Sequence, residues 1–386
     1  MVTKILMRRG QGDAQPTNHP GRWIFLLMLA FLAGCSAAPA KPEAQAAVFY
    51  PPLPNPPRIQ HLASFSRPGD LHATDSAFLD FIVGKESQQN DDVKKPYGVA
   101  IFEGKIYVVD TRGPGYAVFD LVKQHFDFVS GSGNGHMLKP INISIDVDGT
   151  KYVTDTGRGQ VLTFDRNDRF VRAYGLEKQF KPGDVAVVLE RLYVTDLEHH
   201  QIVVLDKASG AELLRFGKAG SKDGELFFPT NITFASDNHL YVTDTGNFRI
   251  QKFTLDGQFV RSYGTLGSGF GQFARPKGVA LDRDGQMYVV DAAFENVQVL
   301  NNDGKLLLFF SGPGEGPADI NLPTAIVVDY ANVALFQKYA DPKFRIEYLV
   351  LVASQFGANK VNVFGYGKMQ DMDYPAADVP AEKAIP

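Results

Sequence analysis

Cysteine is nearly absent from the 386 residues, with Cys35 the single one. An intrachain disulfide, a cysteine zinc site and an iron–sulfur cluster are therefore excluded. Tryptophan occurs once, and positive charge is not in excess. Lys and Arg number 39 against 43 Asp and Glu, a formal net charge of −4, which argues against a strongly basic nucleic-acid binder. No Ser/His/Asp nucleophile motif, phosphate loop or CxxCH haem-attachment signature occurs. The uncharged run Trp23 to Ala33, WIFLLMLAFLA, is eleven residues long, where a membrane-spanning helix needs about 20. What the chain does have is a globular balance, 44% apolar and 21% charged, which rules out wholesale disorder. With 37 Gly and 23 Pro, about one residue in six is turn punctuation, so the elements should be many and short.

Residues 1–22 carry Lys4, Arg8, Arg9 and Arg22 against the one acid Asp13. Basic residues followed by a short apolar run fit a secretory signal. The run leads into Leu32-Ala33-Gly34-Cys35, which resembles the lipobox of bacterial lipoproteins. The resemblance implies a signal peptide over residues 1–34, cleavage before Cys35, diacylglycerol on its sulfur and a palmitate-type acyl chain on the new amino terminus. Several chains matter, because each buried methylene adds about 0.8 kcal/mol and one chain alone holds weakly. Ser36, where inner-membrane lipoproteins carry Asp, points to the outer membrane. Cleavage would remove four basic residues and one acidic, leaving 35 against 42 and a net charge of −7. Such a chain is repelled by phosphate backbones. Residues 35–57 are rich in Ala and Pro without apolar period, and read as an extended tether.

The remainder is repetitive. A Pro followed by a β-rich run recurs at Pro96, Pro140, Pro182, Pro229, Pro276 and Pro323, at spacings of 44, 42, 47, 47 and 47. In the first five units a Tyr-Val-X-Asp ending follows, closing at Asp110, Asp155, Asp196, Asp244 and Asp291. The unit 229–264 holds four alternating apolar runs, Asn231–Ala235, Leu240–Asp244, Arg249–Leu255 and Gln258–Tyr263, parted by turn residues. Four short strands with tight turns make an antiparallel meander. One meander cannot bury both faces, so the units must stack, and 42–47 residues is the period of a propeller blade.

The stretch LYVTDTGNFRIQKFTLDGQFVRSYGTLGSGFGQF, ending at residue 273, resembles the NHL repeat, and PKGVALDRDGQMYVVD (276–291) resembles its first half. The resemblance covers most of 96–312 and implies an all-β fold, a six-bladed β-propeller of four-stranded antiparallel blades over residues 58–370. Unit six departs from the pattern, with Ser354 in place of Asp, and ends without a fourth strand. The unpartnered run Arg58–Phe65 is expected to supply that strand and close the ring. A loop with one short strand around Phe78–Val83 should follow, a short amphipathic helix over Ala331–Ala340 should cap one end, and 371–386 reads as a polar tail.

Candidate chemistry is sparse. The five repeated Asp residues each end a strand before a tight turn, where a carboxylate accepts backbone N–H groups, so they read as architecture. His199-His200 looks like a metal pair, but adjacent residues on an extended chain point apart. The second residue after each Pro is Gly98, Asn142, Asp184, Asn231, Gly278 and Ala325. The NHL pattern prefers Gly there, yet three neighbouring units carry Asn142, Asp184 and Asn231. On innermost strands these oxygens could meet at one channel mouth, and a carboxylate with carbonyl-type oxygens suits a hard cation, so Ca²⁺ is the candidate cofactor. The same side chains could instead only bond channel water.

Two functions follow. One is a lipid-anchored cell-envelope propeller, membrane-bound through Cys35 and monomeric, that binds an envelope protein or a polysaccharide through its blade loops without catalysis and without nucleic acid. The other is a metal-dependent hydrolase or lyase with its site at the channel mouth. Fold alone does not choose between them.

Overall fold

The computed structural model describes residues 47–72, 92–176 and 179–374. Cys35, the signal peptide, the tether up to residue 46, the strand expected around Phe78–Val83 and the tail after residue 374 lie outside the described residues.

Six antiparallel sheets form the fold. Blades one to five run in chain order from strands Pro96–Phe102, Pro140–Ile145, Pro182–Val188, Pro229–Phe234 and Pro276–Leu281. Blade six starts with Asn321–Asp329. These first strands pack against one another in succession, and Asn321–Asp329 also packs against Pro96–Phe102, so the ring is closed and they are innermost.

The Tyr-Val-X-Asp strands explain the core. Lys105–Asp110 places Ile106 and Val108 against blade six, and Tyr107 and Val109 against blade two. Successive side chains point to opposite faces, and both faces are covered, so the strand reads as a continuous apolar run. Each of the six gaps between neighbouring blades is filled by its own apolar cluster. A fully buried Val, Leu or Phe in such a gap stabilises by about 1.5–3 kcal/mol.

The expected closure is found. Ile59–Phe65 pairs antiparallel with Val361–Met369 and becomes the fourth strand of blade six, outside Phe344–Phe356. Inside the stretch read as tether, the structure differs. Phe49–Tyr50 adds a fifth strand beside Ile59–Phe65, and Phe49 is buried with its ring 5.8 Å from that of Phe344. The Val-Phe-Tyr triplet at 48–50 gives this segment an apolar face that the surrounding Ala and Pro obscure.

The insertion in blade six forms a single helical turn, Val333–Phe336, continued by a tighter turn over Gln337–Tyr339. Phe336 is fully buried, edge-on to Phe65 at 6.4 Å, and the Gly104 N–H donates to Asn332 Oδ1 at 2.7 Å. Gly104 lies in the turn after the first strand of blade one, so the helix caps the face away from the six prolines.

Candidate functional site

All six prolines stand at one end of the channel. Five lie opposite the Asp that ends the second strand of their blade, and Pro323 lies opposite Ser354. The carboxylates act as the repeat predicts. Asp155 is fully buried and accepts four backbone N–H groups, from Leu138, Lys139, Gly157 and Arg158, at 2.7–3.0 Å. Asp110 and Asp291 do the same with four N–H groups each. Each thereby ties the loop entering its blade to its own turn.

Blade six achieves this without an Asp. The Leu322 N–H, just before Pro323, donates to Glu295 Oε1 of blade five at 2.8 Å. The Lys360 N–H donates to Ser66 Oγ at 2.9 Å, and Ser66 Oγ donates to Ala358 O at 2.6 Å. Glu295 stands four residues after Asp291, as His200 does after Asp196, and both have left-handed backbones with φ of 53° and 57°. His200 Nδ1 likewise accepts the Phe228 N–H at 3.1 Å, while His199 Nδ1 lies 2.7 Å from Asp196 Oδ2. The two histidines thus serve different partners, and the His200 ring packs on Phe227 and Phe228. No cluster of three His, Cys, Asp or Glu with metal-holding geometry occurs among the described residues.

The structure puts Asn142, Asp184 and Asn231 on three neighbouring innermost strands, each less than 10% exposed. Of the three, Asp184 bonds across strands. Asp184 Oδ1 accepts the Val185 N–H at 2.8 Å, and Oδ2 accepts the Ile232 N–H of the next blade at 3.0 Å. Asn142 Oδ1 accepts the Ile143 N–H at 3.0 Å and fills the space beside Gly98, where a Cβ would approach it to 2.2 Å. Of these three residues, Asn231 alone has an oxygen, Oδ1, buried without a partner. Ca²⁺ takes about six to eight oxygens, several of them carboxylate. One carboxylate already holding two N–H groups and one free amide oxygen do not fit that ion. Burial pushes the Asp184 carboxyl up to about 7, against the lowering pull of the Ile232 and Val185 N–H groups and the Asn231 amide.

The first residue after each Pro carries a signal that the reading of the second residue missed. Each innermost strand shifts register here, and such a bulge re-aims side chains. Tyr97 and Lys277 remain partly exposed although neighbouring blades flank their strands on both sides. The surface they expose therefore opens to the channel. Burial nevertheless raises the Tyr97 hydroxyl, with Asp184 acting in the same direction and Arg275 against it. Burial also lowers the Lys277 ammonium to about 8, with Arg275 adding to the effect. Tyr97, Asp184 and Arg275 come from blades one, three and five, and each stands at or just before the start of an innermost strand of the closed ring.

The NHL repeat family model matches residues 228–253. Blade four carries an NHL repeat. The chain is also similar in structure to a gluconolactonase from Xanthomonas campestris, with a TM-score of 0.55 at 15% identity over 86% of this chain and 100% of that one. A protein of unknown function from Bacteroides thetaiotaomicron gives 0.53 at 18% over 72% and 70%. A streptogramin B lyase gives 0.51 at 18% over 73% and 84%. At these identities the likeness shows the six-bladed fold, which serves lactonase and lyase alike.

Proposed function

We propose that this chain is a lipid-anchored binding propeller of the bacterial cell envelope, moored through Cys35 and engaging an envelope protein or polysaccharide through the loops of its proline-end face. The observation that carries this reading is the apolar surface of those loops. Leu176 is 74% exposed, Phe270 84% and Phe356 52%, and Phe227 and Phe228 stand beside the channel entrance. The opposite face exposes mainly aliphatic residues, Val122, Val147 and Leu189, whereas the exposed Phe227, Phe228, Phe270 and Phe356 gather on the proline-end face, and such a group of aromatics marks an interaction surface. The hydrolase or lyase reading gains one group titrating near neutrality, Asp184, but both its oxygens hold backbone N–H groups, which leaves no free base for a substrate.

The test has two arms. Mass spectrometry of the mature protein should find a diacylglyceryl thioether on Cys35, and Cys35→Ser should release the protein from membranes. Crosslinking in intact envelopes should yield an adduct that is lost in Phe270→Ser with Leu176→Ser and retained in Val147→Ser on the opposite face. A bare Cys35 sulfur removes the anchor, and equal adduct yield in all variants removes the face.

A further inference from the structure

The proline-end mouth of the channel has a charge of its own. The residues just before the six prolines are Lys95, Lys139, Lys181, Phe228, Arg275 and Leu322. The prolines stand at one level, so these residues ring the mouth, and four of the six are cations in a chain whose net charge is −4. Lys277 adds a fifth positive charge one step inside. Among the described residues none of the five comes within 4.0 Å of a carboxylate oxygen. Of the acids at this end, Asp155 and Asp291 are buried and spend their oxygens on backbone N–H groups, and the partly buried Glu295 holds the Leu322 N–H with Oε1. Burial raises the carboxyl of the innermost-strand residue Asp184 to about 7, which weakens its opposition to these cations at neutral pH.

The innermost pair is the most exacting part. Arg275 and Lys277 stand on either side of Pro276, and burial first and the guanidinium charge second disfavour the Lys277 ammonium. Two neighbouring cations with, among the described residues, no carboxylate oxygen within 4.0 Å of their side chains favour an anion that can reach both, and low-dielectric channel walls focus that field. Tyr97, which follows Pro96 as Lys277 follows Pro276, adds a hydroxyl at the same level and feels the Arg275 charge.

We infer that this mouth binds a small multivalent oxyanion, a ligand bearing two or more carboxylate or phosphate groups, with Arg275 and Lys277 gripping one group and Lys95, Lys139 and Lys181 receiving the rest at the rim. The inference rests on the binding reading above and gives that face its ligand chemistry. Arg presents a planar fork to carboxylate or phosphate, while Lys acts as a point charge, so the central pair orients the ligand and the rim mainly attracts it.

Isothermal calorimetry on the full chain in neutral detergent micelles provides the test, with citrate, tripolyphosphate and uncharged sucrose as probes. At least one anion should bind and sucrose should not. Heat from citrate alone assigns a carboxylate ligand, and heat from tripolyphosphate alone a phosphate one. Affinity should fall at least tenfold from 20 to 300 mM NaCl as screening shortens the field. Lys277→Met and Arg275→Gln should each weaken binding at least tenfold, Lys181→Gln a few-fold, and Lys123→Gln on the opposite face not at all. Melting curves of each variant separate lost binding from lost fold. Absence of heat from both anions, or unchanged affinity in folded Lys277→Met and Arg275→Gln, overturns the anion site. If the envelope adduct still depends on Phe270 in that case, the binding reading survives alone.

Discussion

His61 Nε2 lies 3.2 Å from Asn362 Oδ1, although 301 residues separate them. His61 also lies 3.0 Å from Ser64 Oγ and sits edge-on to Phe364 at 5.5 Å. These contacts fasten the first full strand of the propeller to its last. A second clasp lies at the same seam, where Tyr374 Oη accepts the Met369 N–H and donates to Pro57 O at 2.7 Å. An unclosed blade six would expose the outer edge of Val361–Met369, and closure covers it.

Deleting residues 59–65 should therefore abolish the cooperative melt. The strand buries Ile59, Leu62 and Phe65, each worth about 1.5–3 kcal/mol, a large part of a typical total of about 5–15 kcal/mol. Phe65→Ala alone should cost about 3–5 kcal/mol in denaturant unfolding. A deletion variant that melts like wild type would show that the ring stands without its closing strand.

The same His61 and the channel residue Asp184 make opposing contributions to stability against pH. Burial lowers His61 from 6.5 to about 4, so its contribution is present above 6.5 and lost as pH falls through 4. Burial raises Asp184 from 3.8 to about 7, so its contribution is present below 3.8 and lost as pH rises through 7. Between pH 4 and 6.5 the two slopes have opposite sign, each at most about 1.4 kcal/mol per pH unit, and largely offset. Asp184→Asn should unmask a stability that climbs from pH 4 to 6.5, and His61→Gln one that falls from pH 4 to 7. Chemical denaturation at half-unit steps reads both. Parallel pH profiles in the two variants would refute the assignment.

The blade plan was legible because each blade repeats the same physical constraints. Pro begins the innermost strand, Tyr-Val-X-Asp supplies two apolar faces and a turn-binding carboxylate, and Gly or Asn turns set the register. The closing strand was legible by elimination, since Arg58–Phe65 had β character and blade six lacked a strand. The compensation for Ser354 was not legible. It comes from Glu295 in another blade and Ser66 in the closing strand, contacts that exist only once the ring is assembled. The channel site was half legible. Asn142, Asp184 and Asn231 stand out against the repeat, but Asp184 bonds across strands. The bulge after each Pro leaves Tyr97 and Lys277 to line the channel, and alternation alone does not reveal a bulge.

Asp155 tests the carboxylate clamp. Three of its four N–H partners bind Oδ1, and only Leu138 binds Oδ2. Asp155→Ala should orphan all four and cost about 3–5 kcal/mol. Asp155→Asn can keep its carbonyl oxygen in the Oδ1 place, losing only the Leu138 bond, at about 1–2 kcal/mol. Equal losses in the two variants would mean that the negative charge, rather than the acceptor geometry, holds the loop.

Between blades five and six, Tyr288 Oη lies 2.6 Å from Tyr348 Oη, and Tyr348 Oη donates to Asp282 Oδ2 at 2.8 Å. A hydroxyl has one proton, so Tyr348 spends its own on Asp282 and must accept from Tyr288. The chain therefore runs Tyr288 to Tyr348 to Asp282, with all three nearly inaccessible. Tyr288→Phe removes only a donor to Tyr348, which keeps its bond to the carboxyl, and should cost about 1 kcal/mol. Tyr348→Phe leaves the Tyr288 hydroxyl without an acceptor and the Asp282 carboxyl without that donor, and should cost about 2–4 kcal/mol. Asp282, already raised by burial, loses a bond that held its carboxyl down, so its titration should move further up in Tyr348→Phe and stay put in Tyr288→Phe. Denaturant midpoints together with carboxyl-carbon NMR of Asp282 read both effects. A larger loss in Tyr288→Phe than in Tyr348→Phe would reverse the direction of the chain and with it the donor assigned to Asp282.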